Sequence, residues 1–586
     1  MKVVKIISTF LAVVALCTGC DLTLLPENTV APEKYFKTET DLQLWTNGFY
    51  RLFDSPDSQA GLNADDYVDK TMGEVISGTR LASDKANGTN EWNWKRLRDI
   101  NYYLQHSNQC ENESIRAKYD GVAYFFRAYF YFQKVIRYGD VPWYDQVLNS
   151  TDDELLAKPR EDRGLIMDHI ISDLNLAIAQ LPATKDLGRV TKWTALALKS
   201  RVALYEGTWR QYRGLPDAEK YLTEAANAGK QFIEESGYKL YSTGKEPYRD
   251  MFCSDNAKSE EVILARIYNF AGLGISHSVQ FNIRNANTGF TKRFMNHYLM
   301  ADGTRFTDVA GHETMTYAQE SQNRDPRMSQ TVLCPGYIAK EETSKTVNDM
   351  NSMTGYEPIK FVASAEFSGA SKGTSDWSLF RAAEVYLNYA EAMAELGTIS
   401  QADLDMSINV IRKRAQMPNL ELTVANANPD PYMASCYPNV KDGANKGVIL
   451  EIRRERTVEL VMEGFRMWDM FRWKEGAQMV NKENPYYGMY FPTIGLIDLD
   501  GDGKNDLEIY ETTQVSKPSD GLKVLKLNQD IKLSEGNKGY VVAWPDLIYE
   551  WNEERDYLWP IPASQRVLTN GMLTQNPGWT DSTNFD

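Results

Sequence analysis

Residues 116–136 read RAKYDGVAYFFRAYFYFQKVI and carry the strongest fold signal in the chain. Aromatic residues recur along one side of a 3.6-residue period, and Ala123 and Ala128 stand between them. This spacing predicts a buried amphipathic helix, because its apolar side needs a neighbour and its alanines allow that neighbour to come close.

Two further segments have the same character. Residues 190–206 read VTKWTALALKSRVALYE and predict a second helix, which Gly207 is expected to end. Pro216 opens a third helix that is predicted to run to about Glu235. The second and third helices form an antiparallel pair of the length of one tetratricopeptide unit. The alanine-rich residues 379–396 predict another helix, so the expected fold is mainly α, an irregular array of tetratricopeptide-like helix pairs (an α-α superhelix).

Between and after these helices the sequence changes character. Residues from about 240 to 375 are rich in Gly, Ser, Asn and Thr, and they include the β-branched run 261–264. This composition predicts loops and small strands inserted between helical blocks. Residues 447–474 predict one long helix whose Arg and Glu side chains form exposed pairs three and four residues apart. After residue 475 the chain becomes loop-rich and aromatic.

Size and charge restrict the classes of function. The chain has 586 residues, too many for one ordinary hydrophobic core, and its formal net charge is −16. Removal of a leader that carries Lys2 and Lys5 would leave about −18 (−16 minus +2). An acidic surface repels phosphate backbones, so we expect no nucleic-acid partner.

The first residues resemble a lipoprotein leader. Residues 1–20 read MKVVKIISTFLAVVALCTGC, with two lysines, an apolar stretch too short to span a bilayer, and small residues before Cys20. This order predicts a signal peptide over residues 1–19 and lipidation of Cys20, which would tether the protein to a membrane. The alternative is a plain signal peptide cut near Gly19, with Cys20 an ordinary residue.

Four cysteines follow the leader, at positions 110, 253, 334 and 436. They are too widely scattered for a disulfide framework in a chain of this length, and we expect them to be mostly buried thiols. A pairing among them stays open.

Several common enzyme motifs are absent from the sequence. It contains no HExxH, GxGxxG or Walker pattern, and its five histidines lack metal-ligand spacing. Paired carboxylates for glycoside hydrolysis stay open as an alternative, since nothing singles out two of the 80 acidic residues.

A series of short motifs in a fixed order resembles the SusD/RagB family nearly end to end. The motifs are Leu25-Pro26-Glu27, Tyr35-Phe36-Lys37-Thr38-Glu39, Phe125-Phe126-Arg127-Ala128-Tyr129, Tyr138-Gly139-Asp140-Val141-Pro142, Pro159-Arg160, Gly188-Arg189-Val190-Thr191, Arg324-Asp325-Pro326-Arg327, Arg381-Ala382-Ala383-Glu384-Val385-Tyr386-Leu387, Arg453-Arg454-Glu455-Arg456, Glu463-Gly464-Phe465-Arg466, Tyr557-Leu558-Trp559-Pro560-Ile561-Pro562 and Gln575-Asn576-Pro577-Gly578-Trp579. Each motif alone is weak, but their common order over more than 500 residues is specific.

The resemblance implies an α-rich fold with four tetratricopeptide-like helix pairs. It implies a surface lipoprotein, not an enzyme, that lids a SusC-like TonB-dependent transporter and captures an oligosaccharide for import, or a peptide in RagB-like relatives. It also implies a SusD-like helical region over residues 20–235 and a RagB/SusD region over residues 236–586 that carries the insertions and the ligand-binding face. The alternatives are a secreted glycoside hydrolase and a periplasmic scaffold for protein partners.

Aromatic residues in polar surroundings are the candidate sugar platforms, because sugar rings present apolar C–H faces. Trp92 and Trp94 stand just before a predicted helix, and in this family the aromatic residue that precedes this helix often faces ligand. Tyr356 and Trp377 follow polar, Gly-containing loops and are expected to be exposed as well. For all four residues, packing in the core is the alternative.

An acidic loop resembles the first half of a calcium-binding loop, because alternating carboxylates before a glycine turn several oxygens inward. The candidate ligands are the side chains of Asp498, Asp500, Asp502 and Asp506 and the carbonyl of Lys504. Ile509 stands where an EF-hand requires Glu, so the loop is not an EF-hand. The sequence predicts a free-standing calcium loop, with an acidic β-turn as the alternative.

Overall fold

The computed structural model describes residues 35–60, 64–82, 92–149, 151–480 and 486–580. The predicted leader, Cys20 and the Leu25-Pro26-Glu27 motif lie outside these ranges. Among the described helices, none combines the length and the apolar character that crossing a membrane requires.

Helices form most of the regular structure, so the predicted mainly α fold class is confirmed. The principal helices are α1 (Glu39–Asn47), α2 (Lys95–His106), α3 (Glu113–Tyr138), α4 (Arg163–Gln180), α5 (Lys192–Gln211), α6 (Ala218–Glu235), α7 (Ala382–Glu395), α8 (Lys446–Glu459) and α9 (Arg466–Arg472). Short helices lie at Pro56–Ala60, Glu74–Ser77, Asp153–Leu156, Pro247–Cys253, Phe270–Leu273, Val279–Asn285, Lys292–Met295, Tyr317–Glu320, Pro326–Thr331, Gln401–Asp405, Ile408–Arg414, Leu422–Ala427, Pro431–Cys436 and Ala563–Leu568.

The helix predicted from residues 116–136 is α3, and it extends beyond both predicted ends. The side chain of Asn112 accepts a hydrogen bond from the N–H of Ile115 at its start. Gly139 ends it with φ of 71°, a conformation that costs glycine little. Phe125 and Phe126 are fully buried on its core side. The helix therefore forms the central support of the N-terminal region, with α4 packed along it.

Helices α5 and α6 form the predicted antiparallel pair, but the prediction that Gly207 ends the first helix is wrong. α5 continues to Gln211, and Gly207 lies where it crosses α6. A Cβ atom at Gly207 would lie 2.7 Å from Cγ and 2.9 Å from the backbone nitrogen of Leu222. The glycine is therefore needed for close approach of two helices and not for a turn.

Replacement of Gly207 by alanine is expected to destabilise the protein by about 1–3 kcal/mol, because Leu222 and its backbone would have to move. The matched control is Gly48→Ala, where a Cβ atom would meet nothing within 4 Å. Thermal unfolding of both variants checks the prediction. Equal midpoints for Gly207→Ala and the parent protein would contradict it.

The strands are short and form small separate sheets. They are β1 (Tyr67–Val68), β2 (Val262–Arg266), β3 (Gly289–Phe290), β4 (Trp377–Arg381), β5 (Tyr487–Phe491), β6 (Gly495–Ile497), β7 (Leu507–Tyr510), β8 (Lys523–Lys526) and β9 (Gly539–Val542). Antiparallel pairs join β1 to β3, β2 to β4, β5 to β9 and β6 to β7, while β7 and β8 are parallel.

The predictions for the middle of the chain are partly right. The β-branched run 261–264 overlaps β2, as expected, but several short helices also lie between residues 240 and 375. Residues 379–381 belong to β4, so the helix predicted from residue 379 begins only at Ala382. The strand pairs with β2 over this stretch, and tertiary pairing outweighs the local helical pattern.

The single helix predicted over residues 447–474 is wrong, because the chain breaks between α8 and α9. Met462 and Gly464 adopt left-handed φ angles of 60° and 81° within the break. This turn brings the side chain of Glu463 into the interior, where Lys360 Nζ donates to its Oε1 at 2.7 Å. The break therefore places a buried carboxylate that a continuous helix would direct elsewhere.

The predicted exposed charge pairs of this segment are also wrong. Arg453, Glu455 and Glu459 are at most 1% exposed. Their partners come from distant parts of the chain and not mainly from one helix turn away. Sequence spacing alone cannot distinguish exposed pairs within one helix from buried pairs with distant residues, because the same pattern of Arg and Glu occurs in both.

Glu459 lies at the centre of what we call the buried charge cluster, formed by Glu261, Arg327, Lys360, Arg381, Arg414, Glu459 and Glu463. Arg381 is the most extensively bonded cation of the cluster. Its guanidinium donates to Glu459 Oε1 at 2.8 Å, to both oxygens of Glu463 at 2.7 Å and to Glu261 Oε1 at 3.0 Å.

Burial alone would raise the pKa of Glu459, but the adjacent guanidinium groups of Arg414 and Arg381 hold it well below the usual range. Burial lowers the pKa of Lys360 to about 8, against the opposing attraction of Glu463. The cluster thus favours the ionised forms of Glu459 and Glu463 in the buried interior, where each charge depends on its partners.

One large hydrophobic core joins the two ends of the chain. It contains buried residues from Phe36 to Leu573 and so draws on both predicted regions. The division at residue 235 stays a prediction. The cysteine prediction is confirmed for the four thiols after the leader, which are all buried and free.

Candidate functional site

Trp92 and Trp94 lie together at the wall of a surface cavity of about 320 Å³. Their ring centroids are 5.4 Å apart and their planes make an angle of 76°. The cavity is lined by Trp92, Trp94, Lys95, Leu97, Arg98, Asn101, Pro142, Tyr144, Gln146, Leu148, Leu156, Gln565, Thr569 and Leu573. Its walls are mostly apolar with a few polar groups, the usual character of a small-molecule pocket.

The two tryptophans are held in different ways. Trp92 is 5% exposed, with its ring 4.8 Å from that of Tyr138. Trp94 is half-buried and immediately precedes α2, and its ring packs edge-on against Phe130 at 5.5 Å and Tyr144 at 5.7 Å. Trp94 is therefore the more accessible of the two, while Trp92 supports it from behind.

The loop of residues 142–148 forms a second wall and is fixed by α2. Asn101 Nδ2 donates to the carbonyl oxygens of Tyr144 at 3.0 Å and Gln146 at 3.2 Å. The hydroxyl group of Tyr144 donates to the carbonyl oxygen of Leu155 at 2.9 Å. Burial, aided by Glu161, raises the pKa of Tyr144 to about 12, so its phenol stays neutral.

The third wall comes from the C-terminal end of the chain. Gln565, Thr569 and Leu573 reach the cavity because the N–H of Ala563 donates to the carbonyl oxygen of Ala82 at 3.0 Å. Sequence reasoning missed these residues. Tertiary contacts bring this wall to residues that lie more than 450 positions earlier in the sequence. Local sequence patterns cannot predict such contacts.

Tyr356 and Trp377 do not join this cavity, and the expectation of exposure is wrong for both of them and for Trp92. Tyr356 is 0% exposed, and its hydroxyl group donates to Glu320 Oε2 at 2.7 Å. Trp377 lies in β4 with its ring 4.7 Å from that of Phe361. Both are packing residues in this structure. Ligand contact by Trp92 and Trp94 stays a prediction.

The acidic loop, residues 498–506, connects β6 to β7. Oxygen atoms of Asp498, Asp500 and Asp506 lie within 4.8 Å of one another. Burial raises the pKa of Asp506, and the negative charges of Asp500 and Asp498 raise it further. Asp502 is not part of this group, and its Oδ2 lies 3.5 Å from Nζ of Lys504. Three converging carboxylates suit a calcium ion, and calcium binding stays a prediction.

Calcium is expected to raise the midpoint of thermal unfolding, because binding to the folded loop adds about 2.7 kcal/mol of stability at a hundredfold excess over Kd. Asp506→Asn removes one of the three converging carboxylates and should abolish the shift. Asp442→Asn is the control, since its side chain is 94% exposed. Scanning fluorimetry with calcium and with a chelator measures both. An equal midpoint under the two conditions would refute the calcium loop.

Comparisons with known proteins all point to SusD-type proteins. The family model described as "SusD family" matches residues 277–579, more than half of the chain. A second model, described as "Starch-binding associating with outer membrane", matches residues 51–204.

Individual relatives are distant but extend along the chain. The SusD-like protein P38 of Formosa agariphila is 22% identical, over 83% of this chain and 94% of that protein. The crystal structure of a SusD-like protein from Bacteroides fragilis superposes with a TM-score of 0.69 at 22% identity, covering 95% of this chain and all of that one.

A further solved structure, determined with a xylogluco-oligosaccharide, has a TM-score of 0.59 at 18% identity, covering 95% of this chain and all of that one. At these identities the structures establish the shared fold. The family model, matched across the second half of the chain, adds the family: the chain belongs to the SusD family.

Proposed function

We propose that this protein binds oligosaccharide at the bacterial surface and delivers it to a SusC-like TonB-dependent outer-membrane transporter. Lipid on Cys20 would hold it at the outer membrane. The observation that carries the proposal is the cavity at Trp94, an aromatic wall beside polar groups within a SusD-family chain. Aromatic surfaces beside polar groups suit sugar rings, because each ring has apolar faces and a polar rim.

The lining of the cavity favours binding over hydrolysis. Glycoside hydrolysis uses two carboxyl groups, either about 5–5.5 Å or about 6.5–9.5 Å apart. No Asp or Glu is among the described residues that line this cavity. A sugar seated against Trp94 would therefore meet no acid and base pair from these residues.

Tethering the protein beside a transporter lowers the glycan affinity that the proposed role requires. A subunit held over a transporter mouth faces a high effective concentration of its partner, so modest affinity for glycan is sufficient. We expect dissociation constants in the micromolar range or weaker, with release favoured by the exposed position of the cavity.

Isothermal titration against a panel of soluble polysaccharides, with product analysis of each mixture, tests the proposal. The protein used lacks its first 20 residues. Heat with one glycan and no cleavage is the expected result. Cleavage of a glycan would show that the protein is an enzyme and would contradict the proposal. Absence of binding heat with every polysaccharide would favour a peptide ligand.

A separate experiment addresses the anchor. Full-length protein should incorporate labelled palmitate and remain with the outer membrane, and Cys20→Ser should remove the label and release the protein. Retained label in that variant would contradict lipidation at Cys20. The titration result does not depend on this outcome.

A further inference from the structure

The cavity at Trp94 has a charge bias that a neutral sugar does not require. Lys95 and Arg98 are both exposed and both line it. Neither forms an ion pair with a residue in the described part of the chain. The protein as a whole carries a formal charge of −16, so two cations without an ion-pair partner among the described residues stand out at one cavity.

These cations lie on one face of a helix. Lys95, Arg98 and Asn101 are successive positions three apart in α2, and such residues are neighbours on the helix surface. Lys95 is the first residue of α2, and the partial positive charge of a helix start adds to the same end. The cavity therefore has a positive rim that follows directly from the order of residues after Trp94.

A third cation lies behind the aromatic wall. The Nζ atom of Lys134 is 5.8 Å from the ring centroid of Trp94 and 5.0 Å from that of Phe130. Near the 142–148 loop, Glu161 is paired with Lys158, and Asp145 does not line the cavity. No Asp or Glu is among the described residues that line the cavity beside Lys95 and Arg98.

The cavity also contains an acceptor without a donor. Asn101 is 1% exposed, and both hydrogens of its Nδ2 are used in bonds to the loop carbonyls. These bonds fix the orientation of the amide. Its Oδ1 has no hydrogen-bond partner in the described structure. An unpaired buried acceptor is costly, and a ligand hydroxyl group that reaches it would supply the missing donor.

We infer that the cavity selects anionic oligosaccharides, with a carboxylate or sulfate group held between Lys95 and Arg98, a hydroxyl group directed toward Asn101 and the sugar ring against Trp94. This inference rests on the proposed function and names its ligand class. Uronic-acid and sulfated sugars carry the required hydroxyl groups, anion and apolar ring face together. A free anion would lack the ring, and a neutral sugar would leave the cations unused.

The experiment compares charged and neutral forms of one ligand by titration. Tetragalacturonate and its methyl ester test carboxylate, while a sulfated galactan hexasaccharide and its desulfated form test sulfate. We expect the charged member of at least one pair to bind roughly tenfold more tightly at low salt, because charge-assisted hydrogen bonds are about twice as strong as neutral ones. The preference should fall as sodium chloride rises from 50 to 500 mM, since salt screens exposed charges.

The double variant Lys95→Gln and Arg98→Gln should remove the preference while leaving the fold intact. The matched control is Arg51→Gln with Lys413→Gln, two exposed cations that do not line the cavity. Circular dichroism and thermal unfolding check that both double variants are folded.

Each outcome bears on a different statement. Neutral members that bind at least as tightly as charged ones, or a preference that survives in the double variant, would overturn the anionic ligand class. If such neutral binding still required Trp94, the proposed glycan-binding function would stand. Absence of binding to every glycan would overturn both.

Discussion

Replacement of Arg381 by methionine is expected to lower the free energy of unfolding by about 3–5 kcal/mol, the usual cost of removing one partner from a buried ionic group. The side chain is about 2% exposed and bonds to three carboxylates of the buried charge cluster. Methionine fills much of the space but leaves Glu261, Glu459 and Glu463 without their shared cation. The carboxylates would then have to take up protons or water.

The same mechanism predicts the sign of the pH effect. Without Arg381, the pKa values of Glu459 and Glu463 should rise, because their buried charge loses a compensating guanidinium. A carboxyl group whose folded-state pKa lies below its unfolded value contributes stability above the unfolded pKa and loses it as pH falls. The variant should therefore lose part of its stability deficit under acidic conditions.

Thermal and denaturant unfolding at neutral and acidic pH measure both effects. Lys538→Met is the control, since its pair with Glu535 is about half exposed on both sides and is expected to contribute at most about 1 kcal/mol. A midpoint for Arg381→Met equal to that of the control would contradict the structural role of the cluster.

Replacement of Trp94 by alanine is expected to weaken glycan binding about 10- to 100-fold, which corresponds to about 1.4–2.8 kcal/mol. The ring forms the accessible aromatic wall of the cavity, so its removal takes away the surface on which a sugar ring would lie. Titration with the glycan that gives the largest heat for the parent protein measures the change.

Trp45 offers a closely matched control for that experiment. It is also half-buried and contacts the same helix, α2, with its indole N–H donating to the carbonyl oxygen of Asp99 at 3.0 Å. It does not line the cavity. Trp45→Ala should therefore lose similar packing and keep ligand affinity. Equal loss of affinity in both variants would assign the effect to α2 stability and not to ligand contact.

Local patterns predicted the helices well where a helix buries one face along its length. The aromatic period of α3 and the helices around Pro216 were recognisable because burial repeats with the helical turn. Local patterns gave wrong helix ends where tertiary contacts determine the backbone conformation. Gly207 has the same appearance as a helix end and as a crossing point, and only the position of Leu222 separates the two.

The candidate site was predictable only in part. Trp92 and Trp94 were identified from their polar context, and the structure brings them together at one cavity. The same reasoning failed for Tyr356, because polar neighbours in sequence do not report what packs on a side chain in space. Lys95 and Arg98 could have been found from their three-residue spacing after Trp94. The wall from residues 565–573 could not.

The contacts between the two ends of the chain bear on when the protein can complete its folding. The main chain of Trp559 donates to Arg137 at 2.7 Å, and Asn576 Nδ2 donates to Tyr138 at 3.0 Å across a sequence separation of 438 residues. As the chain is made from its N-terminus, α3 exists long before the residues that complete its C-terminal end. Much of its apolar surface packs on α4, which follows soon after it in the sequence, but its C-terminal end must wait for nearly the whole chain. This long-range closure is therefore expected to form slowly and late in folding.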